Sequence, residues 1–259
     1  MSRSTSLFIG LFGSFAISVY VMVLVPQAQL GNLPPQFTED EGKFSDIYPL
    51  QNASMEQGRI VYAREGCIQC HTQQVRDPQN GADIAKGWGV RRTVARDYIY
   101  DEPPFLGNTR IGPDLSNIGT AAWRDELKGD TEAPAKRDAA WHYLHLYDAQ
   151  LALAQIGKGG GRESDSTQPP YRYLFDVKKI SGQPAPDALK LIGELAPAPG
   201  YQVVPSYAAK SLVTYLLSLD RSHDLKEASA GPAAAPAAAV PAAAATPAAA
   251  VSTPAPAAK

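Results

Sequence analysis

The only two cysteines of this 259-residue chain stand three apart, and a histidine follows the second at once: Cys67-Ile68-Gln69-Cys70-His71. C-x-x-C-H is the attachment signature of a c-type haem. Two thiols a turn apart can reach both vinyl groups of one porphyrin. The next residue then aims its imidazole at the iron from the same side. One covalently attached haem c is expected, with Cys67 and Cys70 as anchors and His71 as the proximal iron ligand. A C-x-x-C redox pair would sit in a βαβ setting, and no parallel-strand pattern surrounds this one. A zinc site would need two more ligands, and there is no second cysteine pair.

The chain around the motif is made of unlike parts. Residues 4–38 carry no Asp, Glu, Lys or Arg. Within them Leu7 to Val25 is an uncharged run of 19 residues. At about 1.5 Å per residue it matches the roughly 30 Å of a bilayer's hydrocarbon. A cleaved signal peptide has a shorter apolar core and a small-residue cleavage site; Pro26-Gln27-Ala28-Gln29 offers a poor one. An uncleaved anchor is expected. Arg3 precedes the run while Glu39, Asp40 and Glu41 follow it, which leaves a short cytoplasmic tail and sends the rest outward. At the other end, residues 228–259 hold 18 Ala and 6 Pro in 32 positions. Such a stretch has too little large apolar surface to fold alone. The net charge of −2 excludes a nucleic-acid binder of the strongly basic kind. The organisation expected is a tail at 1–6, a transmembrane anchor at 7–25 and an extended stalk at 26–50. A monohaem domain at 51–222 and a disordered Ala/Pro-rich tail at 223–259 follow.

Helical spacing brackets the motif. Met55 to Glu65 runs directly into Gly66-Cys67. Pro205 to Leu219 places Ala208, Leu212, Tyr215, Leu216 and Leu219 at steps of three and four, an amphipathic helix opened by Pro and Ser. A first helix before the haem motif and a last helix crossing it resemble the frame of small c-type cytochromes. In those proteins a Gly-Pro-x-Leu turn follows the haem motif, and its proline carbonyl accepts a hydrogen bond from the proximal histidine. Gly112-Pro113-Asp114-Leu115 matches that turn, so Pro113 is assigned the role of fixing the His71 ring. The fold class expected is all-α: a c-type cytochrome domain with long loops on a single N-terminal transmembrane helix.

Longer stretches carry a more specific resemblance. GRIVYAREGCIQCHTQQVRD, GADIAKGWGVRRTVARDYIYDEPPFLGNTRIGPDLSNIG, WHYLHLYDAQ, PPYRYLF and GYQVVPSYAAKSLVTYLLSL closely resemble subunit II of cbb3-type cytochrome c oxidases. The resemblance spans roughly residues 5 to 222. It implies a bacterial inner-membrane protein with a periplasmic haem domain, in contact with membrane lipid and not with nucleic acid. It also implies two protein partners: a haem–copper catalytic subunit that reduces oxygen, and a dihaem cytochrome c subunit. On this reading the chain is an electron-transfer subunit of an oxidase complex, with no oxygen-reducing site and no nucleophile–base pair of its own. Two alternatives stay open: a freestanding membrane-anchored electron shuttle, and a ligand-sensing haem protein.

One position departs from the family. The residue before Pro-Pro-Tyr-Arg is there the methionine that binds iron from the distal side; here it is Gln168. The chain's methionines are Met1, Met22 and Met55. Met55 lies twelve residues before Cys67, about 18 Å away along a continuous helix, and is badly placed. Four readings remain. Gln168 binds weakly through its side-chain oxygen, the sixth position is open or holds water, a histidine (His142, His145 or His223) replaces the methionine, or the site is damaged. His142 and His145 stand three apart on an expected helix from Trp141 to Tyr147. They match family positions that coexist with the methionine, which favours another task such as hydrogen bonding near the haem edge. His223 falls in a polar stretch beyond the last helix. Arg91, Arg92, Arg96 and Arg172 are candidates for pairing with haem propionates or an acidic partner, or are solvated. Trp88, Phe105 and Tyr215 are candidates for lining the haem crevice.

Overall fold

The computed structural model describes residues 2–36, 47–49, 52–125, 137–150 and 166–229. Most of the expected stalk and nearly all of the Ala/Pro-rich tail lie outside the described residues. The first element, α1, is a continuous apolar helix over Arg3–Leu30. Ser2 caps it, its side chain accepting from the Thr5 amide. The helix is longer at both ends than the Leu7–Val25 run. Its 28 residues are long and apolar enough to cross a membrane, with a mean hydropathy of 2.3 and nothing buried. Phe12, Phe15 and Met22 stand on its open surface. Pro26 has no N–H to give the Met22 carbonyl, and its ring crowds that carbonyl. The turn before it opens to π spacing over Tyr20–Leu24, where the Val25 amide reaches back to the Tyr20 carbonyl.

The haem-motif domain is built on two crossing helices. Helix α2 spans Ala53–Arg64, capped by Asn52, whose side chain accepts from the Met55 amide at 3.0 Å. Its buried positions, Met55, Gly58, Val61 and Tyr62, lie on one face. It ends at Gly66, whose φ of 73° is the left-handed conformation that glycine adopts without cost. The last helix, here α5, spans Tyr207–Ser218 and buries Ala209, Leu212, Val213, Tyr215 and Leu216. Ser206 is its cap, accepting from the Ala209 amide; Pro205 is the last residue of the strand before it. The two helices touch backbone to backbone. A Cβ built on Gly58 would lie 2.0 Å from the Ser211 carbonyl oxygen. Val61, Tyr62, Leu115, Leu212, Leu216 and Leu219 belong to the core gathered at this crossing.

Two shorter helices complete one wall: α3 over Ala121–Asp125 and α4 over Ala139–Tyr147. The regular structure is mostly helical, but one antiparallel hairpin departs from the all-α expectation. Strand β1 (Phe175–Lys179) pairs with β2 (Tyr201–Pro205), from Phe175 opposite Pro205 to Lys179 opposite Tyr201. Phe175 and Val203 face the core, while Val177 and Tyr201 are exposed.

The helix crossing predicts a steep cost for one small change. Gly58→Ala should destabilise the haem-loaded chain by on the order of 2–3 kcal/mol, because the clash is with backbone and cannot be relieved by a rotamer. Denaturant unfolding of the detergent-solubilised chain checks this, and an unchanged midpoint would contradict the close approach.

Candidate haem site

The turn after α2 carries the motif. Gly66 reverses the chain, Cys67–Gln69 forms a 3₁₀ turn, and the His71 amide donates to the Cys67 carbonyl at 3.0 Å. Both cysteines are free thiols lining the same cavity as His71. Burial pushes the Cys67 thiol up to about 12, with the Glu65 carboxylate adding in the same direction. A half-buried thiol with no disulfide partner that lines a largely apolar cavity fits a thioether to a porphyrin.

His71 is held from outside the motif. Its Nδ1 lies 2.8 Å from the Pro113 carbonyl oxygen. A carbonyl only accepts, so Nδ1 carries the proton and Nε2 keeps its lone pair. Gly112 packs against the same ring so closely that a Cβ there would lie 2.2 Å from His71 Cε1. The loop is tied down at both ends of this contact. The Gly112 amide donates to the Cys70 carbonyl, and the Leu115 amide to the Thr72 carbonyl. The buried Asp114 carboxylate accepts from Thr72 Oγ1 at 2.6 Å, the Gln74 amide at 2.7 Å and the Ser116 amide at 2.9 Å.

Beyond His71 opens a cavity of about 400 Å³. Leu115, Ile118, Leu146, Leu212 and Leu216 give it apolar walls, and Tyr62, Trp123, Trp141 and Tyr171 give it aromatic ones. Two thiols at the rim, an oriented imidazole and an apolar slot of this size fit a covalently held haem. Helix α4 lines the cavity as well. Its cap is Asp138, accepting from the Trp141 amide at 2.9 Å, and its face brings His142, His145 and Leu146 to the cavity. Burial lowers the His142 pKa to about 3, helped by the charges of His145 and Arg137. Burial also lowers His145 to about 4, helped by His71, while a hydrogen bond to Gln168 acts in the opposite direction. His142 Nε2 and His145 Nδ1 are buried without a hydrogen-bond partner. The His145 ring stacks on Trp141 with centroids 4.6 Å apart and planes 11° apart. Gln168 also lines the cavity, and its Nε2 donates to the His145 backbone oxygen at 3.4 Å.

The cavity thus brings together Cys67, Cys70, His71, Pro113, His142, His145 and Gln168. Met55 is buried on α2 and is not among the lining residues. His223 sits behind α5, its Nε2 3.1 Å from the Asp220 carbonyl oxygen. The arginine candidates turn elsewhere. Arg91 makes a buried two-pronged pair with Asp97 at 2.8 and 2.9 Å, Arg96 pairs with Glu227 at 2.6 Å, and Arg172 with Asp148 at 2.6 Å. Arg92 reaches the Glu227 carbonyl at 3.2 Å. None of the four lines the cavity. The aromatic candidates are likewise structural. Phe105 stacks on Tyr62, Tyr215 bonds to Gln73, and Trp88 sits under Lys86. The cationic side chain at the cavity is Arg137, its guanidinium 3.8 Å above the Trp123 ring. Sequence reasoning missed Arg137, Trp123 and Trp141 as lining residues. Only the nearness of Arg137 and Trp141 to the two histidines hinted at it.

Two outcomes follow from this geometry. Gly112→Ala should displace the His71 ring, and the optical spectrum of the haem-loaded protein should change with it; an unchanged spectrum would contradict the packing. His142 is uncharged in the fold and titrates near 6.5 when unfolded. The unfolded chain therefore takes up a proton below about pH 6.5 that the folded chain refuses until about pH 3. Stability should fall with pH across that window, by up to about 1.4 kcal/mol per pH unit from this ring alone. His142→Leu should flatten the slope by one proton in pH-dependent unfolding curves.

No curated protein matches the chain. The family described as "Cytochrome C oxidase, mono-heme subunit/FixO" matches residues 13–191, a span that includes the motif turn, the Pro113 loop, α4 and Gln168. The chain belongs to that family, subunit II of the cbb3-type oxidases.

Proposed function

We propose that this chain is the membrane-anchored, single-haem electron relay of a cbb3-type oxidase. The observation that carries the reading is the His71–Pro113 hydrogen bond at the mouth of a cavity that both motif thiols share. Cys67 and Cys70 would hold one haem c by thioethers, with His71 Nε2 on the iron. When bound, the haem supplies a reversible one-electron couple. The residues of the chain hold and insulate it. Pro113 fixes the ring's proton at Nδ1. Gly112 permits the close approach, and the leucines and aromatics keep water from the ring.

On this reading the anchor helix would sit in a bacterial inner membrane, its Arg3 end in the cytoplasm and the haem domain in the periplasm. Electrons would enter from a dihaem cytochrome c subunit or a soluble donor. They would leave to the haem b of the haem–copper subunit, where oxygen reduction takes place. Purification through a tag on this chain tests the reading. The haem–copper subunit should co-purify. A Cys67→Ala/Cys70→Ala chain should lower cytochrome-driven oxygen uptake at least tenfold while the catalytic subunit keeps its haem b. Recovery of this chain alone, with oxygen uptake intact in the double variant, would contradict it.

A further inference from the structure

We propose that His145, and not Gln168, caps the iron opposite His71, and that Gln168 is the positioning residue that holds His145 in place. The inference rests on the haem reading above.

The methionine that the family pattern would supply is replaced by Gln168, and Met55 does not line the cavity. The side chains on the wall facing His71 then decide the sixth ligand. His145 is the best placed of them. It lines the same cavity, its Nδ1 is buried without a hydrogen-bond partner, and the Gln168 side chain on the same cavity wall bonds to its backbone oxygen. A buried imidazole with an unpartnered nitrogen is costly in a fold unless something else engages the ring. Ligation to iron does so, because a neutral imidazole is a good iron donor. His142 also lines the cavity, but its ring is taken up between two indoles, parallel to Trp123 at 6.3 Å and edge-on to Trp141 at 4.9 Å.

Gln168 is already committed. Its amide donates to the carbonyl of His145 itself, one of the carbonyls that the last turn of α4 leaves unpaired. The Tyr171 amide donates to the Leu146 carbonyl at 2.8 Å, so the whole 166–171 segment is laid along the end of α4. A segment that delivers a thioether in the family pattern here clamps the helix that carries the histidine. The parallel stack on Trp141 fixes the ring plane. An amide oxygen is a weak donor to ferrous iron; two imidazoles give a low-spin centre. Exchange of a thioether for an imidazole also lowers the potential relative to a His/Met relative.

The test uses the full-length, haem-loaded chain in detergent. Haem staining on a denaturing gel comes first. A chain without covalent haem overturns the haem reading, and this inference with it. With haem present, pulsed electron paramagnetic resonance of the ferric wild type should detect two axial imidazole nitrogens, and the spectrum should lack the sulfur-to-iron charge-transfer band. His145→Gly should become high-spin and bind carbon monoxide, and added imidazole should restore the low-spin form. His142→Ala should stay low-spin and closed to carbon monoxide. Gln168→Ala should stay low-spin at rest but, with His145 no longer clamped, should bind carbon monoxide measurably where the wild type does not, and a Gln168→Ala chain as closed as the wild type overturns the positioning role. A wild type with one axial imidazole overturns the proposal without need of any variant. So does a Gln168→Ala chain that turns high-spin while His145→Gly does not.

Discussion

The crossing of α2 over α5 at Gly58 is the contact on which the rest depends. A side chain there would meet the Ser211 backbone, so only glycine lets the two helices approach this closely. That approach brings Val61 and Tyr62 onto Leu212 and Leu216, and it fixes where α2 ends. The end of α2 is the motif turn. A shift at the crossing would move Cys67, Cys70 and His71 together relative to the far wall of the cavity. Packing and chemistry therefore share one constraint: the motif turn is as well placed as the helix pair is well packed.

Around this frame the chain spends its polar residues on loops. Few of the residues between Thr72 and Ile118 lie in regular structure, and side chains take over the work of a backbone ladder. Asp114 ties the Pro113 turn to the strand-like segment after His71. Asp83 accepts from Arg76 and Arg110, and the buried Arg221 pairs with Asp101 at 2.6 Å while lying 4.5 Å over the Tyr98 ring. Breaking one partner of such a buried pair strands a charge, so these contacts fix the loops more than they add net stability. Arg96 also reaches Pro34 and Glu227, and Gln36 reaches Asp224 and Lys226. These contacts join the segment after the anchor helix to the segment after α5. The described domain is thus clasped on the side from which the N-terminal apolar helix enters.

The parts legible in the sequence were those with local signals. The apolar run, the C-x-x-C-H spacing, the Gly-Pro turn and the amphipathic last helix each carry their meaning within a few residues. The hairpin was not legible. Phe175-Asp176-Val177-Lys178-Lys179 is short and largely polar, and its partner strand begins 22 residues after it ends. The pairing is a tertiary fact with no turn signature to announce it. The arginine cluster misled for the same reason. Arg91, Arg92 and Arg96 look like an anion site in sequence, yet the Arg96 partner Glu227 lies 131 positions away. His142 and His145 stood three apart as any two face-sharing residues would. Only the fold put both rings on the cavity.

The central claim is that Cys67, Cys70 and His71 hold one haem covalently, and the mass of the intact chain tests it most directly. Purified from a host that matures c-type cytochromes, the chain should weigh its sequence mass plus one haem. The added mass should move to a peptide containing Cys67 and Cys70 after digestion. A chain at its bare sequence mass, with both thiols free to alkylate, would contradict the account.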